Sequence, residues 1–368
     1  MKLTKCKLGE LITQRREKND GSDLPICGVS KDGLIPPKQK DADTSIYNVF
    51  YRNDFIFNPA RMELNSIAIN DMYDRAICSS LYEVFYVHRT DLLLPHYLKL
   101  IIRQKWFTCY CEFLGQGSAR EYCRFSNISE IEIEFPPVEE QQKIVDYNTV
   151  IENRIALKQK INDNLEATLS ALYKEFFTIT SSDTLPLGWR IASFSDIATV
   201  TMGQSPEGDD CNNEGVGEPL LNGPTEFGFY SPSPIQWTTN GKKHCVEGDL
   251  LFCVRGSTTG RMNWANQSYA IGRGLAAIHH KSDCTLNWFV KAMIDNSLQE
   301  ILSAATGSTF PNVGKDLLNG FQVIIPDDNS LRKFGVKGHS IFSMISNNAK
   351  EIDVLLCLQR TLLSKLTI

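Results

Sequence analysis

A chain of 368 residues is long enough for two domains with separate hydrophobic cores. A hydrophobic fraction of 42% and a charged fraction of 22% are typical of globular proteins and exclude widespread disorder. The net charge of −5 argues against a free-standing nucleic-acid binder. A DNA-binding interpretation therefore requires basic residues gathered on one face, or partners that supply positive charge.

The charged N-terminal residues and the pattern of cysteines predict a cytoplasmic protein. The first residues, MKLTKCKLGELITQRREKND, are too charged for a signal peptide, and no apolar run reaches the length of a membrane span. The 11 cysteines contain no C-x-x-C motif, so we expect reduced thiols and no metal site.

Residues 1–137 are predicted to form a mixed α/β domain. Alternating apolar and β-branched residues predict strands in DLPICGVS, NDFIFN, RAICSSLYEVFYVH and ISEIEIEFPP. Between the last two, LLPHYLKLIIRQKWFTCYC has the periodicity of an amphipathic helix.

Residues 138–184 contain the longest predicted helix. From Val138 to Thr178 there are 41 residues without glycine or proline, preceded by Pro136-Pro137. At about 1.5 Å per residue this helix would be roughly 60 Å long. Apolar residues at spacings of three and four form a stripe that includes Tyr147. A second stripe begins at Ile161 and is out of helical phase with the first. A helix of this length needs a partner along its course.

Residues 185–328 repeat the order of the first domain. The segment GDLLFCVRGSTTGRM corresponds to NDFIFNPARMELNSI, and AIGRGLAAIHH corresponds to RAICSSLYEVFYVH. A Gly-Ser pair recurs at 117–118 and 307–308, which gives a period of 190 residues. A second helix follows in residues 329–368. Because Gly335 and Gly338 disfavour an early helical turn, this helix is expected to begin only near His339 and to be shorter than the first.

The two long helices are natural partners for each other. An antiparallel coiled coil with one domain at either end would cover both apolar stripes, whereas the alternative is that each helix packs only on its own domain. The residues expected to form the coiled coil and to dock other subunits are Ile144, Ile151, Ile155, Leu165, Leu172, Ile352, Leu355 and Leu362. The fold class is therefore α+β, with two similar mixed α/β domains separated by two long helices.

No catalytic motif is complete in this sequence. GSTFPNVGKD lacks the spacing of a phosphate-binding loop and has Asp316 where a Ser or Thr is needed. Phe57-Asn58-Pro59-Ala60 lacks the second proline and the aromatic residue of the adenine-methyltransferase motif. His279 and His280 are adjacent, so a strand would direct them to opposite faces, which disfavours a shared metal. What remains are polar, glycine-containing loops rich in Arg, Asn, Gln and Thr, which are side chains that contact bases and phosphates.

The whole chain resembles the DNA-specificity subunit of type I restriction–modification systems. The segments that carry the resemblance are FPPVEEQQKIVDYN, LPLGWRIASFSDIATVTMGQSP, EGDLLFCVRGSTTGR and GSTFPNVGKDLLNGFQVIIP. The resemblance implies two target-recognition domains, each of which reads one half of a split DNA site. It also implies that the coiled coil sets the gap and docks two methyltransferase subunits.

The resemblance further implies that the chain has no active site of its own. S-adenosylmethionine and adenine N6 methylation would belong to the partner methyltransferase subunits, and restriction subunits are further candidate partners. Roughly 60 Å of helix corresponds to about 18 base-pair steps. The favoured DNA contacts are Arg61, Arg120, Arg124, Gln204, Asn222, Arg255, Thr258, Arg261, Thr309 and Lys315. The alternatives are a coiled-coil scaffold that joins two ligand- or protein-binding domains, and a self-sufficient methyltransferase.

Overall fold

The computed structural model of the chain describes residues 3–31, 33–37, 43–115, 122–177, 185–228, 230–307 and 310–364. It divides into two compact units. The first comprises Met1–Ile155 together with Leu355–Ile368, and the second comprises Ala156–Val354. Among the described residues, no helix combines the length and hydrophobicity needed to cross a membrane.

In its described part, the first unit contains three small sheets with helices beside them. Its strands and helices are β1 (Thr4–Lys7), β2 (Ile12–Arg15), β3 (Ile26–Ser30), β4 (Gly33–Ile35), β5 (Asn48–Tyr51), β6 (Phe55–Phe57), β7 (Ile67–Ile69), β8 (Arg75–Cys78), β9 (Glu83–Val87), α1 (Pro95–Ile102), α2 (Lys105–Gly115), α3 (Phe125–Ser129), β10 (Glu132–Phe135) and the start of α4 (Val138–Phe177). The strand orders are β2-β9-β6-β7, β4-β3-β8-β5 and β1-β10.

The second unit has the same kinds of element. They are β11 (Arg190–Ser193), β12 (Ala198–Met202), β13 (Cys211–Asn212), β14 (Glu218–Leu221), β15 (Gln236–Thr238), β16 (His244–Cys245), β17 (Leu250–Cys253), β18 (Met262–Trp264), β19 (Tyr269–Ile271), β20 (Leu275–His280), α5 (Asn287–Ser303), α6 (Lys315–Gly320), β21 (Gln322–Ile325) and most of α7 (Asp328–Ser364). The strand orders are β12-β20-β17-β18, β13-β15-β14-β19-β16 and β11-β21.

The internal repeat of the sequence is a repeat of topology. The order β2-β9-β6-β7 in the first unit matches β12-β20-β17-β18 in the second, with each neighbouring pair antiparallel. Among the residues that the structure describes, each unit also has one parallel strand pair, β3 with β8 and β14 with β19. The segments that aligned in the sequence, β6–β7 with β17–β18, therefore occupy the same places in the two domains.

The corresponding inner strands β6 and β17 are buried on both faces. In β6, Phe55 and Phe57 belong to the core beneath the helices, and Ile56 belongs to the core shared with the neighbouring sheet. In β17, alternate residues divide between two cores in the same way. This explains why both segments are continuous apolar runs in the sequence.

The long helices α4 and α7 pair antiparallel within each unit. In the first unit, Gln359 Nε2 of α7 donates a hydrogen bond of 3.0 Å to Asn148 Oδ1 of α4. In the second unit, Lys158 Nζ of α4 lies 2.9 Å from Glu351 Oε2 of α7. Residue numbers increase along α4 while those of the paired residues on α7 decrease, so the two helices are antiparallel, as predicted.

Polar residues occupy the helix pair where the apolar stripe of α4 is interrupted. Asn148 and Asn162 are 3% and 0% exposed and lie at the same heptad position as the buried Ile155. The predicted stripe through Tyr147 was wrong, because that side chain is 62% exposed and Asn148 takes the inward position. The apolar residues change their helical phase in this region, but the buried positions do not. They keep a seven-residue spacing because asparagines occupy some of them.

Asn162 and Asn348 form the centre of a buried hydrogen-bond network. Asn348 Nδ2 donates to Asn162 Oδ1 over 2.8 Å, and Asn162 Nδ2 donates to the Ile345 carbonyl over 3.1 Å. Asn348 Oδ1 accepts from Lys158 Nζ at 2.8 Å. Polar groups that are satisfied only in one alignment specify the register and orientation of a coiled coil.

Replacing Asn162 with Ala is expected to destabilise the helix pair by about 1–3 kcal/mol, because the buried amide of Asn348 and the Ile345 carbonyl each lose a partner. Chemical unfolding of the full chain measures this loss. Asn164→Ala, at an exposed position of the same helix, serves as the control and should change stability little. Equal effects of the two substitutions would contradict a role of the network in pairing.

The predicted start of the C-terminal helix near His339 was wrong. Helix α7 begins at Asp328 and is 37 residues long, close to the 40 residues of α4. Asp327 Oδ1 accepts from the backbone amides of Asn329 and Ser330, which satisfies the first turn. Gly338 is required by packing, since a Cβ there would overlap the ring of Trp288. Gly338 therefore allows close packing against Trp288, and neither glycine prevents the helix from beginning at Asp328.

Candidate nucleic-acid interface

The first unit contains an open cleft of about 1220 Å³ that brings basic and aromatic side chains together. Two predicted contacts, Arg61 and Arg124, line this cleft, and Arg120 lies outside the described residues. Lys31 and Arg103, which were not predicted from the sequence, line the same cleft. Its other polar and aromatic lining includes Tyr47, Tyr82, Tyr122, Asn58, Ser79 and Glu63.

Arg61 is presented by the short 3₁₀ helix Pro59–Leu64. Asn58 Oδ1 caps this helix by accepting from the Ala60 amide at 3.1 Å, and Asn65 ends it in a left-handed conformation with φ 52°. Met62 is 2% exposed and anchors the helix in the core, whereas Arg61 is exposed. Among the described residues, no carboxylate lies within ion-pair distance of Arg61. Its guanidinium therefore faces the cleft unpaired.

Arg124 is held in place by an acidic neighbour. Its Nη1 lies 3.2 Å from Glu83 Oε1, and its guanidinium carbon is 5.5 Å from the centre of the Tyr122 ring. Glu83 Oε2 accepts from the Phe125 amide at 2.8 Å and so caps the start of α3. Arg124 is thus a positioned guanidinium whose charge is partly balanced, in contrast to Arg61.

In the second unit, the β17–β18 loop carries three of the predicted contacts. Arg255, Thr258 and Arg261 are all exposed. The loop is fastened to the segment before α6 by a 2.9 Å hydrogen bond from Thr259 Oγ1 to the Pro311 carbonyl and by a bridge between Arg255 and Asn312. The structure therefore brings this loop next to the segment that leads to Lys315.

Lys315 is exposed at the first position of α6, and Thr309 lies outside the described residues. Gln204 follows β12, and its backbone N–H donates to the Ile271 carbonyl at 2.9 Å. Asn222 follows β14, and its Nδ2 donates to Gln236 Oε1 at 2.8 Å, so this amide is already engaged within the domain.

Arg273 is a basic residue that the sequence reasoning did not single out. It is exposed between Gly272 and Gly274, in the turn from β19 to β20. The Gly-Arg-Gly pattern between two apolar strands was the signal that could have found it. Like Arg255 and Arg261, it has no ion-pair partner among the residues that the structure describes.

The residues predicted for the coiled coil occupy different environments. Ile144 packs against the core of the first domain, whereas Leu165 and Leu172 pack against the core of the second. Ile151, Ile155 and Ile352 are 7%, 8% and 1% exposed. Leu355 and Leu362 are half-buried on α7.

The adjacent histidines of β20 face different surroundings. His279 Nδ1 is 3.3 Å from Asp249 Oδ1, whereas His280 Nδ1 accepts from the amides of Ser282 and Asp283 at 3.3 and 3.1 Å. No cluster of three or more potential metal ligands occurs in the described ranges of the chain. Burial lowers the pKa of His280, which is therefore an uncharged acceptor in the fold.

The folded domain is expected to lose stability as the pH falls through the His280 transition. Because its folded pKa lies below the unfolded value of about 6.5, the unfolded state binds more protons in acid. The stabilisation that uncharged His280 provides is complete above the unfolded pKa, and it is lost as the pH falls toward the folded pKa. Unfolding measured from pH 8 to pH 5 should show a weaker acid dependence for His280→Asn, which keeps an acceptor without a titrating ring. An unchanged dependence would contradict this role.

Residues 7–167 match the family model for the type I restriction modification DNA specificity domain. The chain is 26% identical over 293 residues to the putative type I restriction enzyme MjaX specificity subunit of Methanocaldococcus jannaschii, which covers 73% of this chain and 68% of that protein. It is 25% identical over 297 residues to the MjaIX specificity subunit of the same organism, which covers 75% and 69%.

The fold is similar to a crystal structure of the type I restriction-modification system S subunit from M. genitalium. The TM-score is 0.57 at 15% sequence identity, and the match covers 99% of this chain and 96% of the other. The α+β fold class with two domains and a helical coiled coil is therefore confirmed.

Proposed function

Since the chain belongs to the type I restriction–modification DNA-specificity family, we propose that each of its two domains reads one half of a split DNA site. The observation that carries this proposal is the repeated sheet order with exposed arginines on loops of both domains. Unpaired guanidinium groups are suited to paired hydrogen bonds with a guanine edge, and small loop residues let the backbone approach the sugar-phosphate chain.

The chain is a recognition subunit and not the catalyst, in keeping with its relatives, which are named specificity subunits. In our proposal, two methyltransferase subunits dock on the paired helices and carry S-adenosylmethionine, and restriction subunits are further partners. Partner subunits would also supply the positive charge that the net charge of −5 does not provide. We place this assembly in the cytoplasm, which is consistent with 11 free cysteines.

The paired helices set the gap between the two half-sites in this proposal. A helix of 40 residues is about 60 Å long, which corresponds to about 18 base-pair steps. The polar network of Lys158, Asn162 and Asn348 fixes the register of the pair, so the spacing would be constant.

The test is a map of N6-methyladenine in the DNA of a host that expresses the chain with its methyltransferase partner. The proposal predicts methylation at a motif of two short blocks with a fixed gap, and no methylation by either protein alone. Methylation by the chain alone would support the self-sufficient methyltransferase. A partner that methylates the same sites without the chain would leave only the scaffold interpretation.

Replacing Arg255 with Ala is expected to relax base preference in one half-site by about 1–3 kcal/mol, because a paired hydrogen bond to a base edge is lost. Binding competition between single-base variants of the site measures this change. Arg190→Ala removes the same charge from β11, where Arg190 lies 3.7 Å from Asp196, and should leave preference unchanged. An equal loss of affinity on every sequence would show that Arg255 contacts phosphate.

A further inference from the structure

We propose that Arg273 is a specificity-determining residue that reads a guanine in the half-site of the second domain. This inference rests on the proposed function. It is carried by the way the β19–β20 turn is built, since the turn joins the five-stranded sheet to the four-stranded sheet of that domain.

The backbone on both sides of Arg273 is fixed by hydrogen bonds to three other segments. The Gly272 amide donates to the Leu221 carbonyl at 2.8 Å, and the Val254 amide donates to the Gly274 carbonyl at 2.9 Å. The amide of Arg273 itself donates to Ser205 Oγ at 3.2 Å. The turn is therefore held by the last residue of β14 and by the segments that follow β12 and β17.

Glycines make this close packing possible. A Cβ at Gly272 would overlap Asn222 Oδ1, and a Cβ at Gly274 would overlap the Asn222 carbonyl oxygen. A Cβ at Gly203 would in turn overlap the carbonyl of Gly272. These three glycines thus allow three backbone segments to pack closely together, and the side chain of Arg273 extends from this junction into solvent.

Asn222 takes a supporting place in this arrangement. Its Nδ2 donates to Gln236 Oε1, and its Oδ1 lies against Gly272, so the side chain is packed within its own domain. We infer that Asn222 positions the turn, and that the contact with DNA is made by the neighbouring guanidinium.

The side chain of Arg273 has the features of a base-reading group. It is exposed, and no carboxylate of the described residues pairs with it. Because the turn is already held in place, no backbone ordering is needed on binding, and the planar fork of the guanidinium matches the O6 and N7 acceptors of guanine in the major groove. The exposed Arg261, which precedes β18, adds positive charge for the phosphates nearby.

The experiment compares four forms of the chain, each assembled with its methyltransferase partner: wild type, Arg273→Ala, Arg273→Lys and Lys281→Ala. Lys281 is exposed just beyond the opposite end of β20, so its substitution removes one positive charge from the other end of this strand, away from the turn. Each complex selects from random DNA fragments, and competition assays then measure preference at every position of the motif.

We expect Arg273→Ala to lose about tenfold or more of the preference for guanine at one position of one half-site, with the gap and the other half-site unchanged. Arg273→Lys should keep affinity better than preference, and Lys281→Ala should match wild type. A uniform loss on all sequences with a salt slope reduced by about one would make Arg273 a phosphate contact and overturn the inference. An unchanged motif in Arg273→Ala would also overturn it, whereas the absence of any split motif for wild type would instead reject the proposed function.

Discussion

Duplicating residues 149–155 in α4 together with residues 352–358 in α7 is expected to lengthen the gap between the half-sites by about three base pairs. Seven residues add about 10 Å of helix, and one base-pair step is about 3.4 Å. Seven residues are close to two helical turns, so the buried positions keep their phase to within about 20°. The duplicated segments carry their own buried residues, Ile151, Ile155 and Ile352.

The sequence of each half-site should be unchanged in this variant, because the loops that contact bases are untouched. Affinity for the original site should fall toward nonspecific binding, about a thousandfold or more weaker, since only one half-site can be engaged at a time. Duplication in α4 alone is the matched control. It moves Asn148 out of register with Gln359 while leaving Lys158 opposite Glu351, and we expect it to impair folding or binding. A changed half-site sequence with an unchanged gap would contradict the account.

Gly338→Ala is expected to destabilise the second domain by about 1–3 kcal/mol or more, because the added methyl group overlaps the buried ring of Trp288, with Cε2 only 2.6 Å away. Trp288 is 2% exposed and packs against Phe334, with 4.5 Å between the ring centres, so it has little room to move. Thermal unfolding of the full chain, followed by tryptophan fluorescence, measures the change.

Gly335→Ala provides the control on the same helix. There the new methyl group would meet only the end of the Leu286 side chain, at 3.1 Å, and alanine gains about 1 kcal/mol of helix propensity over glycine. This variant should therefore be as stable as wild type or more stable. A smaller ring in Trp288→Phe should partly rescue Gly338→Ala. If both alanine variants were equally stable, the contact with the Trp288 ring would not be the reason that position 338 requires glycine.

The sequence predicted features that depend on local periodicity. The absence of glycine and proline from Val138 to Thr178 predicted a helix that the structure places at Val138–Phe177. The repeat of apolar runs predicted which strands correspond in the two domains, because a strand buried on both faces leaves a continuous apolar segment.

Features that depend on tertiary contacts were not predictable in this way. The inward positions of Asn148 and Asn162 have no apolar signal, since their burial is compensated by hydrogen bonds from the other helix. Gly338 was interpreted as a helix breaker, because its requirement comes from a tryptophan 50 residues away in the sequence.

The candidate site was predictable by residue type but not by side-chain environment. Arg61 and Arg124 were both expected in the first domain and do line one cleft, yet only the structure shows that Glu83 balances Arg124 and leaves Arg61 unpaired. Asn222 was predicted as a base contact because of its side-chain amide. In the structure, that amide donates a hydrogen bond to Gln236 within the domain. The contacts with DNA themselves stay a prediction.

The most direct measurement is selection from random double-stranded DNA by the chain assembled with the proposed methyltransferase partner, followed by sequencing of the bound fragments. The account predicts one motif made of two short, unrelated blocks at a constant separation. Enrichment of a single uninterrupted block, or of two blocks at variable separation, would contradict the claim that two linked domains read DNA at a distance fixed by paired helices.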